Sequence, residues 1–230
     1  MKQFSIILFS IFLSFSSLSQ QYKFEVGTQL GPNLSLFRFD NQMLKDNTKN
    51  IINFTGNIFI QYNFNKTFSL KIQPGYENKV FKFKPYTNNA NDLNIEVERG
   101  RALNYLTIPL LLKASIGNKV KYYFNAGPYV GFILSETFLY SYPYSNEIKK
   151  MSLNDKTFSS MRIANSIDIG VTSGIGMDIP IKDKYALSFE LRDNFGLANI
   201  NSSNPYRPFS VKTHTLNLLI GFAYKFGPKK

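Results

Sequence analysis

Few residues of this 230-residue chain could carry out covalent or metal chemistry. There is no cysteine, which removes disulfide scaffolds, thiolate zinc sites and cysteine nucleophiles. His214 is the single histidine. A general base of this kind needs a nucleophile and an orienting group, and the sequence fixes neither beside it; Asp193 could reach it only across strands. Asp40, Asp46 and Asp92 are scattered and lack the spacing of a Ca²⁺ loop, so neither metal nor cofactor is expected. The remaining chemistry is that of fixed charge. Lys and Arg exceed Asp and Glu by 27 − 15 = 12, and twelve of the charged side chains recur at every second position of apolar segments.

Those segments are the elements that must position the charges. Period-2 alternation appears eight times, over roughly 22–36, 54–64, 67–81, 102–115, 119–135, 166–180, 184–195 and 213–226. Connections alternate strictly between long (37–53, 82–101, 136–165, 196–212) and short (65–66, 116–118, 181–183). An even number of antiparallel strands with tight turns at one end and long loops at the other is the signature of a transmembrane barrel. The fold expected is therefore all-β: a single closed antiparallel barrel of about eight strands, with short periplasmic turns and long extracellular loops. Ahead of it, Lys2, an apolar stretch from Phe4 to Phe15 and the small residues Ser17 and Ser19 read as a secretory leader over 1–19, leaving 20–230 as the barrel domain. An exported chain has no call for nucleic acid, despite its basic balance.

The two faces identify their solvents. One face carries Ile167, Ile169, Val171, Ile175 and Met177, or Leu216, Leu218, Ile220 and Phe222, and is free of charge until Asp193 at a loop end. The other mixes glycine with seven cations and five anions: Lys23, Glu25, Lys71, Glu77, Lys79, Lys113, Lys121, Asp168, Asp178, Glu190, Arg192 and Lys225. Small residues on the charged face suit a narrow lumen, and aromatics beside the short turns on the apolar face (Tyr22, Phe24, Phe64, Phe68, Tyr122, Phe124, Tyr185, Tyr224, Phe226) suit a membrane girdle. Lipid is thus expected outside and charge inside. Near balance of sign favours a paired lumen network of Glu25, Lys71, Glu77, Lys79, Lys113, Asp168, Glu190 and Arg192; a pore lined by Glu77, Asp168, Glu190 and Arg192 is the alternative. The Tyr-rich run containing Tyr140, Tyr142 and Tyr144 reads as a strand extension above the membrane whose tip would contact a protein partner. Pro32, Pro74, Pro109 and Pro128 fall inside the segments and are expected at bulges, three of them beside glycine.

Several stretches resemble the PorT-like outer-membrane β-barrel family: Ile108-Pro109-Leu110-Leu111-Leu112-Lys113, Asn125-Ala126-Gly127-Pro128-Tyr129-Val130-Gly131, Asn194-Phe195-Gly196-Leu197, and the terminal Gly221-Phe222-Ala223-Tyr224-Lys225-Phe226. The chain departs from the common outer-membrane signature by ending Gly227-Pro228-Lys229-Lys230 beyond its last aromatic. The resemblance implies an eight-stranded barrel of a bacterial outer membrane, in contact with its lipid. It carries no catalytic residues, and it implies a non-enzymatic accessory of protein secretion, partnered by secretion-machinery or other envelope proteins. A small pore, or a lipid-modifying enzyme using His214, are the other readings.

Overall fold

The computed structural model describes residues 22–84, 86–88, 95–141, 148–152, 166–201 and 209–229. Its elements are β1 (Tyr22–Ser35), β2 (Arg38–Phe39), α1 (Gln42–Asp46), β3 (Thr48–Asn63), β4 (Phe68–Ile72), β5 (Gly75–Phe83), β6 (Tyr86–Asn88), β7 (Ile95–Ile116), β8 (Lys121–Ser141), β9 (Ile148–Ser152), β10 (Ile167–Ile181), β11 (Tyr185–Gly196), β12 (Val211–Lys212) and β13 (His214–Lys229). No helix among them is long and apolar enough to cross a membrane.

All pairings are antiparallel, and they return on themselves. β1 lies between β13 and β3; β3 pairs with β4 and β5, these with β7, and the chain of neighbours continues through β8, β10, β11 and back to β13. β4 and β5 act as one strand interrupted at Gln73–Pro74, which gives a ring of eight. Short turns at 64–67, 117–120 and 182–184 gather at one end with the first and last strand ends. Each has a local cause. Asn65 accepts from the backbone of Thr67 and Phe68 at 2.8 and 2.7 Å, and Gly117 and Lys182 take positive φ values of 114° and 59°. Around this end the aromatics touch one another: Phe24 meets Phe226 at 5.6 Å and Tyr62 at 5.3 Å, and Tyr185 meets Tyr224 at 5.5 Å.

The faces separate as the alternation requires. Ile58, Leu112, Tyr122, Ile169, Ile175, Leu218 and Ile220 are exposed, while Gln29, Lys71, Lys79, Asn125, Asp168 and Glu190 are buried. Glycine on the inner face makes room for rings from the adjacent strand. A Cβ at Gly170 would stand 2.5 Å from the ring of Tyr129, and one at Gly176 would stand 2.5 Å from that of Tyr123.

The strands are longer than the alternation suggested. β3 begins at Thr48, β7 at Ile95, and β8 runs to Ser141 where β9 pairs with it. Two of the missed ends follow register shifts, between Asn50 and Thr55 on β3 and between Ile133 and Ser135 on β8 opposite Asn104 and Tyr105, because an extra residue swaps the two faces of its strand and erases a period-2 signal. Arg99, Arg101 and Glu136, expected in loops, are therefore strand residues. At 22 and 21 residues, β7 and β8 have about twice the length a strand needs to cross a bilayer, so they rise beyond it.

No register shift falls at a proline, contrary to expectation. On β1, Leu30 faces Ile220 and Asn33 faces Asn217 in one unbroken register. The lost donor is absorbed otherwise: the neighbouring carbonyl swings over the preceding glycine, where a Cβ on Gly31 would lie 1.9 Å from Leu218 O, and one on Gly127 equally close to Leu110 O. Proline carbonyls still accept, Pro74 from Ile58 at 3.0 Å and Pro109 from Gln73 at 3.1 Å.

Candidate functional site: the lumen and its outer mouth

Two polar clusters fill the lumen. The first centres on Glu190 of β11. Its Oε1 accepts from Arg192 Nε at 2.7 Å and Asn125 at 3.1 Å; its Oε2 accepts from Tyr123 OH at 2.9 Å and Gln29 at 3.1 Å, with Lys71 Nζ at 3.7 Å. The Gln29 side-chain oxygen draws the surrounding donors together, accepting from Gln73 at 2.6 Å, Arg192 at 3.2 Å and Lys71 at 3.3 Å. One anion thus holds two cations through strands from every side of the ring.

The second cluster centres on Asp168 of β10, whose Oδ2 accepts from Thr213 Oγ1 at 2.6 Å, Tyr129 OH at 3.1 Å and Lys79 Nζ at 3.1 Å. Lys79 also lies 3.5 Å from Glu77 and between the rings of Tyr105 and Tyr129, 4.9 and 5.4 Å from their centroids. Glu77 accepts from Thr215 at 2.5 Å and Asn194 at 3.0 Å. Nearer the short turns, Lys113 pairs with Asp178 at 2.5 Å, over the ring of Tyr123. Of the eight charged residues singled out from the sequence, seven join ion pairs in this way. Glu25 is held instead by Asn63, at 3.1 Å.

The sequence reading passed over the neutral partners: Gln29, Gln73, Asn125, Asn194, Thr213, Thr215 and the inward tyrosines 105, 123 and 129. Their signal was parity, since each shares its strand's face with a charge. Between the clusters, a cavity bounded by Gln73, Tyr129, Thr172, Arg192 and Asn217 has a volume of about 10 Å³, the size of a single water.

Above the polar clusters the interior changes character. Phe37, Phe39, Phe81, Leu103, Tyr105, Ile200 and Val211 form a buried apolar cluster, with Leu44, Phe83, Ile133 and Phe209 packed against it. Two loops fold inward to build it. β2 pairs with β12, Asp40 and Ser210 exchange hydrogen bonds at 2.7 and 3.3 Å, and Asn199 accepts from Val211 N at 2.9 Å. Neither this clip nor α1 was foreseen, because two-residue strands and a five-residue helix have no periodicity to read. On one wall, Arg101 is ion-paired with the buried Glu136 and lies over Phe138.

His214 sits at the start of β13 with Nε2 3.1 Å from the Asp193 carboxylate and its ring against Phe195. The flanking Thr213 and Thr215 hydroxyls are engaged in the lumen with Asp168 and Glu77. No group of three or more acidic or histidine side chains close enough to share a metal occurs among the described residues. Of the tyrosine run, Tyr140 pairs through its backbone with Lys149, and Tyr142 and Tyr144 lie outside the described residues, as does the leader segment 1–19.

An apolar exterior around a hydrogen-bonded, ion-paired interior is the arrangement of a sheet protein whose outer solvent is lipid. Residues 15–202 match the family described as outer membrane protein beta-barrel domain. The chain belongs to that family, and its place is the bacterial outer membrane. Solved structures resembling it include neisserial surface protein A (13% identity, 88% of this chain and 97% of that one, TM-score 0.45), OprG from Pseudomonas aeruginosa (11%, 90% and 98%, 0.45) and Ail of Yersinia pestis (14%, 89% and 99%, 0.41). These likenesses are distant, and the assignment rests on the family match. No curated protein matches the chain at a significant level.

Proposed function

We propose that the chain is a closed, eight-stranded, non-enzymatic barrel whose lumen is a structural plug and whose working surface is its outward loops. The observation that carries this reading is the polar packing of the lumen: the Glu190 and Asp168 clusters interlock across the ring, and the cavity between them measures about 10 Å³. A conducting path needs a continuous row of water, which such packing interrupts. The partners would be other envelope proteins met through those loops, the Tyr140–Tyr144 tip among them. The resemblance to PorT-like barrels supports a place beside a protein-secretion machine, after export by the cleaved 1–19 leader.

In planar bilayers the refolded protein should stay silent. Steady conductance whose ion selectivity changes in Glu190→Gln or Arg192→Gln would replace the plug with a pore. Crosslinking in intact cells, followed by mass spectrometry of the neighbours, tests the partner. Reproducible recovery of secretion-machine subunits supports the accessory role, and recovery of the barrel alone removes it. A lipid-modifying activity abolished by His214→Ala would overturn the non-enzymatic reading.

A further inference from the structure

Among the described residues, the apolar cluster at the outer mouth does not close on itself. It leaves a cavity of about 460 Å³ walled by Phe39, Phe81, Phe83, Leu103, Phe138 and Phe209, within the range of small-molecule sites and far larger than the void in the lumen below. We propose that this cavity binds one small, uncharged, predominantly apolar molecule, of the size and chemistry of a fused-ring aromatic or a terpenoid.

Three observations define the occupant. The walls are aromatic and aliphatic, so desolvation of an apolar surface is the dominant gain. The buried charge on the wall is already neutralised, because Arg101 and Glu136 are paired with each other and a charged ligand would have to part them. Arg99 also borders the cavity, but it is exposed at the rim and already interacts with a neighbouring group.

The walls are also held apart by structure of their own. The β2–β12 clip fixes Phe39 and Val211; Asn41 caps α1, accepting from Met43 and Leu44 at 3.0 and 3.3 Å, and so sets Leu44 on the rim. Phe39 and Phe83 both pack on Phe81, at 5.7 and 5.5 Å. An apolar cavity braced in this way cannot collapse to recover its lost contacts, and a guest supplies them. Its position suits uptake from outside the cell. Arg101 and Phe138 pair above Leu134, an apolar residue of β8 that is 52% exposed.

The test uses the full mature chain in phosphatidylcholine nanodiscs, titrated with the uncharged fluorophore N-phenyl-1-naphthylamine against empty nanodiscs. Saturable binding of one probe per chain is expected. It should weaken at least tenfold in Leu44→Trp, which fills the cavity from a half-buried helix position, and stay unchanged in Ile175→Trp on the lipid face. No saturable signal above empty nanodiscs would overturn the proposal, as would binding indifferent to Leu44→Trp. Methyl NMR of the unmutated protein gives a readout independent of variant folding. Shifts at Leu44, Leu103, Ile200 and Val211 support the site, and shifts confined to lipid-facing methyls such as Ile175 and Leu218 refute it. Probe binding that appears only after deletion of 142–147 would make the native occupant this chain's own loop, which also refutes it.

Discussion

The middle of the lumen and its outer mouth are built from the same strands and hold together by opposite means. At the middle, Lys79 of β5 points inward to Asp168; one turn of the pleat higher, Phe81 points inward to Phe37 at 4.8 Å. The outward positions change in step. Tyr76 is exposed on β5 at the membrane level, whereas Lys84 is exposed just past the end of the strand. The cause is the solvent outside. Within the bilayer the outer face already lies in hydrocarbon, so turning an apolar side chain inward gains little, and the interior is filled mostly by polar groups that lipid would reject, with a few apolar side chains such as Phe59 and Leu111 among them. Above the bilayer the outer face meets water, and the ordinary hydrophobic effect returns the phenylalanines to the inside. Between Lys79 and Phe81 the inner face of β5 passes from polar to apolar.

The comparison predicts different costs for damage in the two regions. The largest belongs to the lumen. Glu190→Ala leaves Arg192, Lys71, Gln29, Tyr123 and Asn125 without their shared buried anion. About 3–5 kcal/mol of stability should be lost, read as a shift in the denaturant midpoint for unfolding from lipid vesicles. An unchanged midpoint would mean that the cluster does not hold the ring. At the mouth, Leu103→Ala removes packing rather than a charge partner, and about 2–4 kcal/mol is expected from the lost contacts and the cavity left behind. The two regions should also part in a second measurement. Leu103→Ala should leave bilayers silent, since the plug below it is intact, whereas the double variant Glu190→Ala/Arg192→Ala should admit ions.

Much of this was legible beforehand. Alternation gave the ring strands because lipid on one face and packed charge on the other make the period-2 signal unusually clean, as in Ile167 to Ile179 against Asp168 to Asp178. Loop lengths gave the topology. The outer mouth was illegible for the same physical reason that makes it different. A β-bulge between Ile133 and Ser135 on β8 exchanges the faces of that strand, so Glu136 reads as loop; on β5 and β7 the parity continues, but apolar-in replaces polar-in from Phe81 onward, so Phe83 and Arg101 read as an irregular loop. The neutral lumen partners were hidden more simply. Gln29 or Tyr123 announces nothing by type, and only its position among the charges shows that it spans them.

The smallest effect tests the brace of the mouth alone. Asn41 closes the first turn of α1 through its side-chain oxygen, and Thr48 Oγ1 donates to Leu44 O at 2.6 Å from the other end. Asn41→Ala removes the cap and should weaken the helix by about 1 kcal/mol. Because α1 buries none of its residues fully, that loss should not reach the ring: the global denaturant midpoint should stay in place while amide exchange at Met43 and Leu44 rises about fivefold, the equivalent of about 1 kcal/mol. Fluorophore affinity should fall with it, since Leu44 then spends part of its time off the rim. Faster exchange with undiminished affinity would show that the cavity needs no brace from α1, and would leave the β2–β12 clip as the element that keeps it open.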